Sequence, residues 1–139
     1  MQPEFAALYE RAKAVLRPRQ LSQNSFAGSV AAAMETPSGA VYTGVCIDTP
    51  CSMGFCAEHA AAAAMVTAGE SQVVRLIAVY EDGSVIPPCG RCREFLCQLH
   101  DENPACLVQL ADRVATQVPS RMMVTSSLMR RISSILWEM

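Results

Sequence analysis

Residues 56–92 read CAEHAAAAAMVTAGESQVVRLIAVYEDGSVIPPCGRC, and the reading of this stretch decides the fold. Its run of consecutive alanines favours helix at each position, and Gly69 follows where helices commonly stop. A helix is therefore predicted from Cys56 to about Ala68. Val73–Tyr80 is apolar and rich in β-branched residues, which predicts a strand, and Glu81–Pro88 is a turn-rich loop. A second helix opens at Cys89 and Cys92 and runs to about His100, with Pro104 beyond it. A helix of about 13 residues travels ~20 Å, and a strand of about eight returns ~26 Å. The chain thus comes back to the end from which it left, and sets Cys89 and Cys92 beside Cys56. Both cysteine motifs then sit at helix amino termini.

Working outward, Phe5, Leu8, Ala12 and Leu16 share one helical face, so residues 3–16 form an amphipathic helix that stops near Pro18. Residues 29–35 and 40–47 are apolar runs around Thr36-Pro37-Ser38-Gly39, which predicts a hairpin. Residues 48–55 make a loop rich in Pro, Cys, Ser and Gly. Ala105–Leu110 reads as a strand, residues 121–126 as a last strand, and 127–137 as a short terminal helix. The order α-β-β-α-β-α-β describes an α/β fold with a central sheet covered by helices, expected as one domain over 1–139.

Composition narrows the function. The chain is 51% hydrophobic and 17% charged, with a formal charge of −2. No basic stripe is available to neutralise phosphates, which argues against nucleic-acid polymers and for a small molecule. Glu4, Glu10, Arg11 and Lys13 interrupt the amino-terminal apolar residues, unlike a signal peptide. Residues 20–34 lack charge but contain Gln, Asn and Ser and are too short to span a bilayer, so no membrane partner is expected. A cytoplasmic location is the default. Seven cysteines, an odd number, fit reduced thiols and metal better than a disulfide framework.

The chemistry resides in Cys56-Ala57-Glu58 and Pro88-Cys89-Gly90-Arg91-Cys92. Three thiolates leave the fourth corner of a tetrahedral Zn²⁺ open to water, as in catalytic sites. Glu58, two residues after a ligand, is placed to carry the proton of that water, which reads as hydrolysis. Three thiolates on Zn²⁺ sum to −1, a charge that two helix amino ends, Arg91, Arg93 or His59 would temper. The plainer alternatives are a closed, non-catalytic zinc module with Cys51 as fourth ligand, and a redox pair of Cys89 and Cys92. Cys97 and Cys106 read as small core residues, and His100 as a residue at a helix carboxyl end.

These motifs, in this order and spacing, resemble the cytidine deaminase superfamily. Cysteine in the first motif is similar to the free-nucleoside branch, which includes cytidine deaminase and blasticidin S deaminase. The resemblance runs from about Ser29 to Leu110. Ser29–Ala33, Tyr42–Val45, Pro88–Arg93 and Trp137-Glu138 look most like the blasticidin type. It implies a three-layer α/β/α sandwich around a mixed five-stranded sheet, a homotetramer with composite active sites, and one Zn²⁺ per subunit. Carried over, Cys56, Cys89 and Cys92 bind the metal, Glu58 shuttles protons, and the main chain at Ala57 helps hold substrate. His59 stands where an arginine often tempers the thiolates. The strand that reads sugar hydroxyls as Gly-x-Asn-Val-Glu-Asn is here Gly44-Val45-Cys46-Ile47-Asp48-Thr49, so Cys46 and Asp48 take its two reading positions. The usual stacking phenylalanine falls at Gly28 or Phe26, and Trp137 is carried over as a further substrate contact. The resemblance implies a cytidine-like nucleoside or an analogue as substrate, whereas these departures point to an altered pocket for a modified cytosine nucleoside, with a blasticidin S-type or other aminated heterocycle as the alternative.

Overall fold

The computed structural model describes residues 1–116. The strand expected over 121–126, the helix over 127–137, and Trp137 with Glu138 lie outside them. A 3₁₀ turn at Pro3–Phe5 leads into helix α1 (Ala6–Val15), which ends just before Arg17-Pro18 as a pre-proline segment must. Helix α2 spans Ala57–Thr67 and helix α3 Gly90–Leu99. The strands are β1 (Arg19–Ser22), β2 (Ser25–Glu35), β3 (Val41–Asp48), β4 (Arg75–Tyr80), β5 (Val85–Ile86), β6 (Leu107–Gln109) and β7 (Val114–Thr116).

The sheet is mixed and five positions wide, in the order β3-β2-β4-β6-β7, with β4 and β6 parallel and the other pairs antiparallel. The two additional strands lengthen it rather than widen it. β1 and β4 pair with successive parts of the same edge of β2, and β5 and β6 do likewise on β4. Arg19–Ser22 is exposed throughout and β5 has two residues, so neither offers an apolar alternation to read. The fifth position is held by Val114–Thr116, in a stretch to which the sequence assigned no element.

Alternation along the central strands divides the core into two layers. Ala31 and Ala33 of β2 with Ile77 and Val79 of β4 face Phe5, Leu8 and Ala12 of α1. Ala32 and Met34 with Leu76 face Ala57, Ala61, Ala62 and Met65 of α2 and Leu96 of α3. This is the expected α/β/α sandwich. Cys97 and Cys106 are buried, as small core residues should be, and His100 caps the carboxyl end of α3.

One close approach sets the position of α2. A Cβ on Gly44 of β3 would stand 2.3 Å from the Ala61 backbone nitrogen and 2.6 Å from the Ala60 Cβ. Glycine on the strand and alanines on the helix let α2 lie directly on β3. Its far end stops as the sequence suggests: Gly69 takes φ +93°, and the Gly69 and Glu70 N–H groups donate to the Val66 and Met65 carbonyls. Among the described residues no helix is long and apolar enough to cross a membrane.

Candidate active site

Cys56 is the amino-terminal cap of α2 and Cys89 that of α3. Neither helix has a hydroxyl or carboxylate at this position; on α3 the Cys89 sulfur itself accepts the Cys92 N–H at 3.4 Å. Cys92 lies one turn in and is buried, Cys56 is half-buried, and Cys89 is exposed. The strand-and-helix return predicted from element lengths does bring them together. Cys56 and Cys89 sulfurs are 3.6 Å apart, Cys89 and Cys92 sulfurs 3.3 Å, and all three lie within 4.8 Å of one another. Sulfurs at about 2.3 Å around a tetrahedral zinc stand about 3.8 Å apart, so donor type and spacing both fit that ion. Cys51 is exposed and outside this group, so the fold does not assemble a four-thiol closed site from it.

Glu58 enters from the first turn of α2, only 4% exposed, and its Oε2 accepts from the Cys92 thiol at 3.5 Å. Burial raises its pKa above the ordinary carboxyl value, against the local backbone N–H and the Cys92 thiol, which lower it. Burial and then the Glu58 charge push the Cys92 thiol far up. Burial, followed by hydrogen bonding with Cys89, raises Cys56. Burial also acts to raise Cys89, but N–H donation from Cys92 and its other hydrogen bonds outweigh it and bring that thiol down. A cluster of acidic groups that resists ionising together is one that a divalent cation stabilises.

His59 follows on α2. Its ring stacks on Phe95 of α3, centroids 4.4 Å apart and planes within 7°, which brings Nδ1 to 3.3 Å from the Cys92 sulfur. Burial, then the nearby Arg91 charge, lowers its pKa, so the ring meets the sulfur as a neutral imidazole. Arg91 is exposed on the rim of the site, and Arg93 is half-buried one position beyond Cys92 on α3.

Of these groups, Cys56, Glu58, Cys89 and Arg91 line a cleft of about 440 Å³. Ala57, Cys46 and Asp48 also line it. Cys46 is 6% exposed; its sulfur accepts the Val30 N–H at 3.3 Å, lies 3.3 Å from the Ser29 hydroxyl, and approaches Asp48 Oδ2 at 3.7 Å. Gly28 and Phe26 do not line the cleft. Gly28 forms a bulge at φ +82°, where a Cβ would stand 2.1 Å from the Arg17 carbonyl oxygen, and Phe26 is exposed outside the cleft. The register break between Ala27 and Ala31 on β2 turns this segment away. Ser29, Phe55 and Ile86 are lining residues that sequence reasoning missed. Ser29 was legible as the start of the first predicted strand; Phe55 and Ile86 lay in segments read as loop.

No protein-family model matches the chain. It is 35% identical over 71 residues to the cytidine deaminase of Mycobacterium tuberculosis, covering 50% of this chain and 53% of that protein, so the match spans about half the length of the curated relative. The fold is similar to crystal structures of cytidine deaminases from Mycobacterium tuberculosis (TM-score 0.69, 25% identity, 84% of this chain and 92% of that one) and Burkholderia pseudomallei (TM-score 0.63, 27% identity, 84% and 94%). A cytidine deaminase structure from Mycobacterium leprae shares the fold at TM-score 0.70 and 24% identity, over 84% of this chain and 95% of that one. Likeness over half of its sequence and in its fold supports a relationship of the chain to the cytidine deaminase superfamily.

Proposed function

We propose that this protein catalyses the zinc-dependent hydrolytic deamination of a cytidine-like nucleoside or nucleoside analogue, releasing ammonia. The observation that carries the proposal is the convergence of Cys56, Cys89 and Cys92 with the buried carboxyl of Glu58 beside a cleft. Bound by the three sulfurs, zinc supplies the Lewis acidity that makes water a nucleophile at neutral pH. Glu58 takes the first proton of the attacking water and delivers it to the ring nitrogen, then carries the second, from the hydroxyl now bonded to carbon, to the departing amine. The C–N bond to the exocyclic amine breaks as a C–O bond replaces it, and ammonia leaves. Its raised pKa suits a group that must hold a proton between these steps. His59, stacked on Phe95, offers Nδ1 to Cys92, and Arg91 and Arg93 add positive charge on the ligand helix.

The sugar end is less demanding. The Cys46 sulfur is already engaged by Val30 and Ser29, which leaves the Asp48 carboxylate as the charged acceptor on that wall. Cytidine, deoxycytidine and blasticidin S are therefore all candidate substrates, the last supported by the blasticidin-like motifs. On the superfamily resemblance, we place the protein in the cytoplasm as a homotetramer.

The test is metal analysis with ammonia release across those three substrates. About one zinc per chain and turnover of at least one substrate are expected, with cytidine and deoxycytidine turned over with similar efficiency. Absence of ammonia from every substrate sinks the proposal, and a strong preference for cytidine over deoxycytidine would refute the reading of the Cys46 wall.

A further inference from the structure

Among the described residues, Phe55 is the one aromatic side chain lining the cleft. It immediately precedes Cys56 and is 38% exposed. A phenyl ring left that open contributes little as core, and elsewhere in the chain its apolar surface would be more stable under cover. The loop before α2 nevertheless holds it in place. Phe55 and Ile47 exchange two backbone hydrogen bonds of 3.0 Å, a bridge that pins the loop to β3. To turn back that tightly, Cys51 and Ser52 both take left-handed backbone, at φ 57° and 55°. That conformation is costly for residues other than glycine. Next to them Gly54 passes so near β3 that a Cβ would stand 1.9 Å from the Ile47 carbonyl oxygen. A strained turn and a close crossing thus set the backbone of Phe55 beside the thiols.

We propose that Phe55 is the face on which the flat ring of the substrate stacks, an inference that rests on the deaminase reading above. A six-membered aminated heterocycle whose reacting carbon lies near Glu58 and the thiols must carry its ring past the residue adjoining Cys56. A planar π surface there restrains tilt of the ring without drawing on its hydrogen-bonding edge, which stays free for Glu58 and the Ala57 main chain. Stacking is indifferent to the sugar. It therefore orients the base in a cleft whose sugar wall discriminates little, and it fills the role for which Gly28 and Phe26 are out of place.

The test uses zinc-loaded full-length protein carrying Phe55→Leu, which keeps apolar bulk and removes the ring, with Phe55→Met as a second removal and Phe55→Tyr as rescue. The Kd for cytidine is measured by calorimetry in a Glu58→Gln background, and KM and kcat in the otherwise native protein. Loss of the ring is expected to weaken binding about tenfold or more and raise KM alike, with kcat within about threefold. Phe55→Tyr should restore both, with zinc content and oligomer mass unchanged throughout. An unchanged Kd in the Leu and Met variants overturns the inference while leaving deamination intact. Loss of binding together with dissociation of the oligomer also overturns it, by marking Phe55 as subunit packing. Native protein that binds cytidine through Phe55 but releases no ammonia removes the deaminase reading and keeps the stacking. Native protein that does not bind cytidine at all overturns the stacking of that base.

Discussion

Glu58 is a carboxyl group with almost no access to solvent, set against a thiol that is itself hard to ionise. In the metal-free protein its raised pKa has a definite sign for stability. A carboxyl whose folded pKa exceeds its unfolded value contributes stability that is fully present below the unfolded value and is lost as pH rises through the folded one. Glu58→Gln escapes that loss. The difference in melting temperature, variant minus native, should therefore grow in favour of the variant from about pH 4 to pH 7, near and well above the ordinary carboxyl pKa. A flat difference across that range would show that burial of the charge is not costly. In the zinc-loaded protein the same substitution should lower kcat/KM about 10²- to 10⁴-fold, the usual worth of a positioned acid–base group. Full activity would eliminate Glu58 as the proton carrier. Cys46 shows a different residue-scale lesson: its place on the cleft wall follows from strand alternation with Asp48, but its engagement by Val30 N–H depends on a bulge in the neighbouring strand.

Helix α2 carries Cys56 and Glu58, and its seat on β3 is set by the absence of a side chain at Gly44. Gly44→Ala introduces a Cβ against the backbone of Ala61, which has no rotamer by which to yield. We expect a loss of about 1–3 kcal/mol by urea denaturation, together with reduced zinc content, because displacement of α2 separates Cys56 from the α3 thiols. Native-like stability and metal content would mean that the helix can shift without cost. Helix α3 is held at its other end by Asn103, fully buried, whose Oδ1 accepts the Val73 N–H while Nδ2 donates to the Ser71 and Leu96 carbonyls. Asn103→Ala orphans three backbone groups, two of them in buried bonds, and should cost about 3 kcal/mol or more. Asn103→Asp keeps the acceptor for Val73 but sets a fully buried carboxylate against the Ser71 and Leu96 carbonyls, so it should cost at least as much. An Asp variant as stable as the native protein would contradict this division of labour.

Across the whole molecule, the proposed metal joins two helices that also meet through the Cys92–Glu58 hydrogen bond, the His59–Phe95 stack and a shared core layer. Chelation should therefore lower the melting temperature and not merely the activity: free metal at a hundred times its Kd adds about 2.7 kcal/mol to the folded state. An unchanged melting curve after chelation would separate the thiol cluster from stability. The helices with their stops and the central apolar strands were legible locally, because alanine runs, apolar periodicity and glycine or proline breaks act within a few residues. So was the pairing of Cys56 with Cys89 and Cys92, since element lengths alone return the chain to its starting end. By itself, then, the sequence determined an α/β sandwich, three thiols that must meet, and a carboxylate beside them. Only the tertiary structure decided the short strands β1, β5 and β7, which have too little pattern to read before a neighbour supplies their hydrogen bonds. It also decided which residues wall the cleft, moving Gly28 and Phe26 out and bringing Phe55 in. Bulges and left-handed turns redirect a side chain by the geometry of backbone packed against backbone, and that geometry exists only once the sheet has formed.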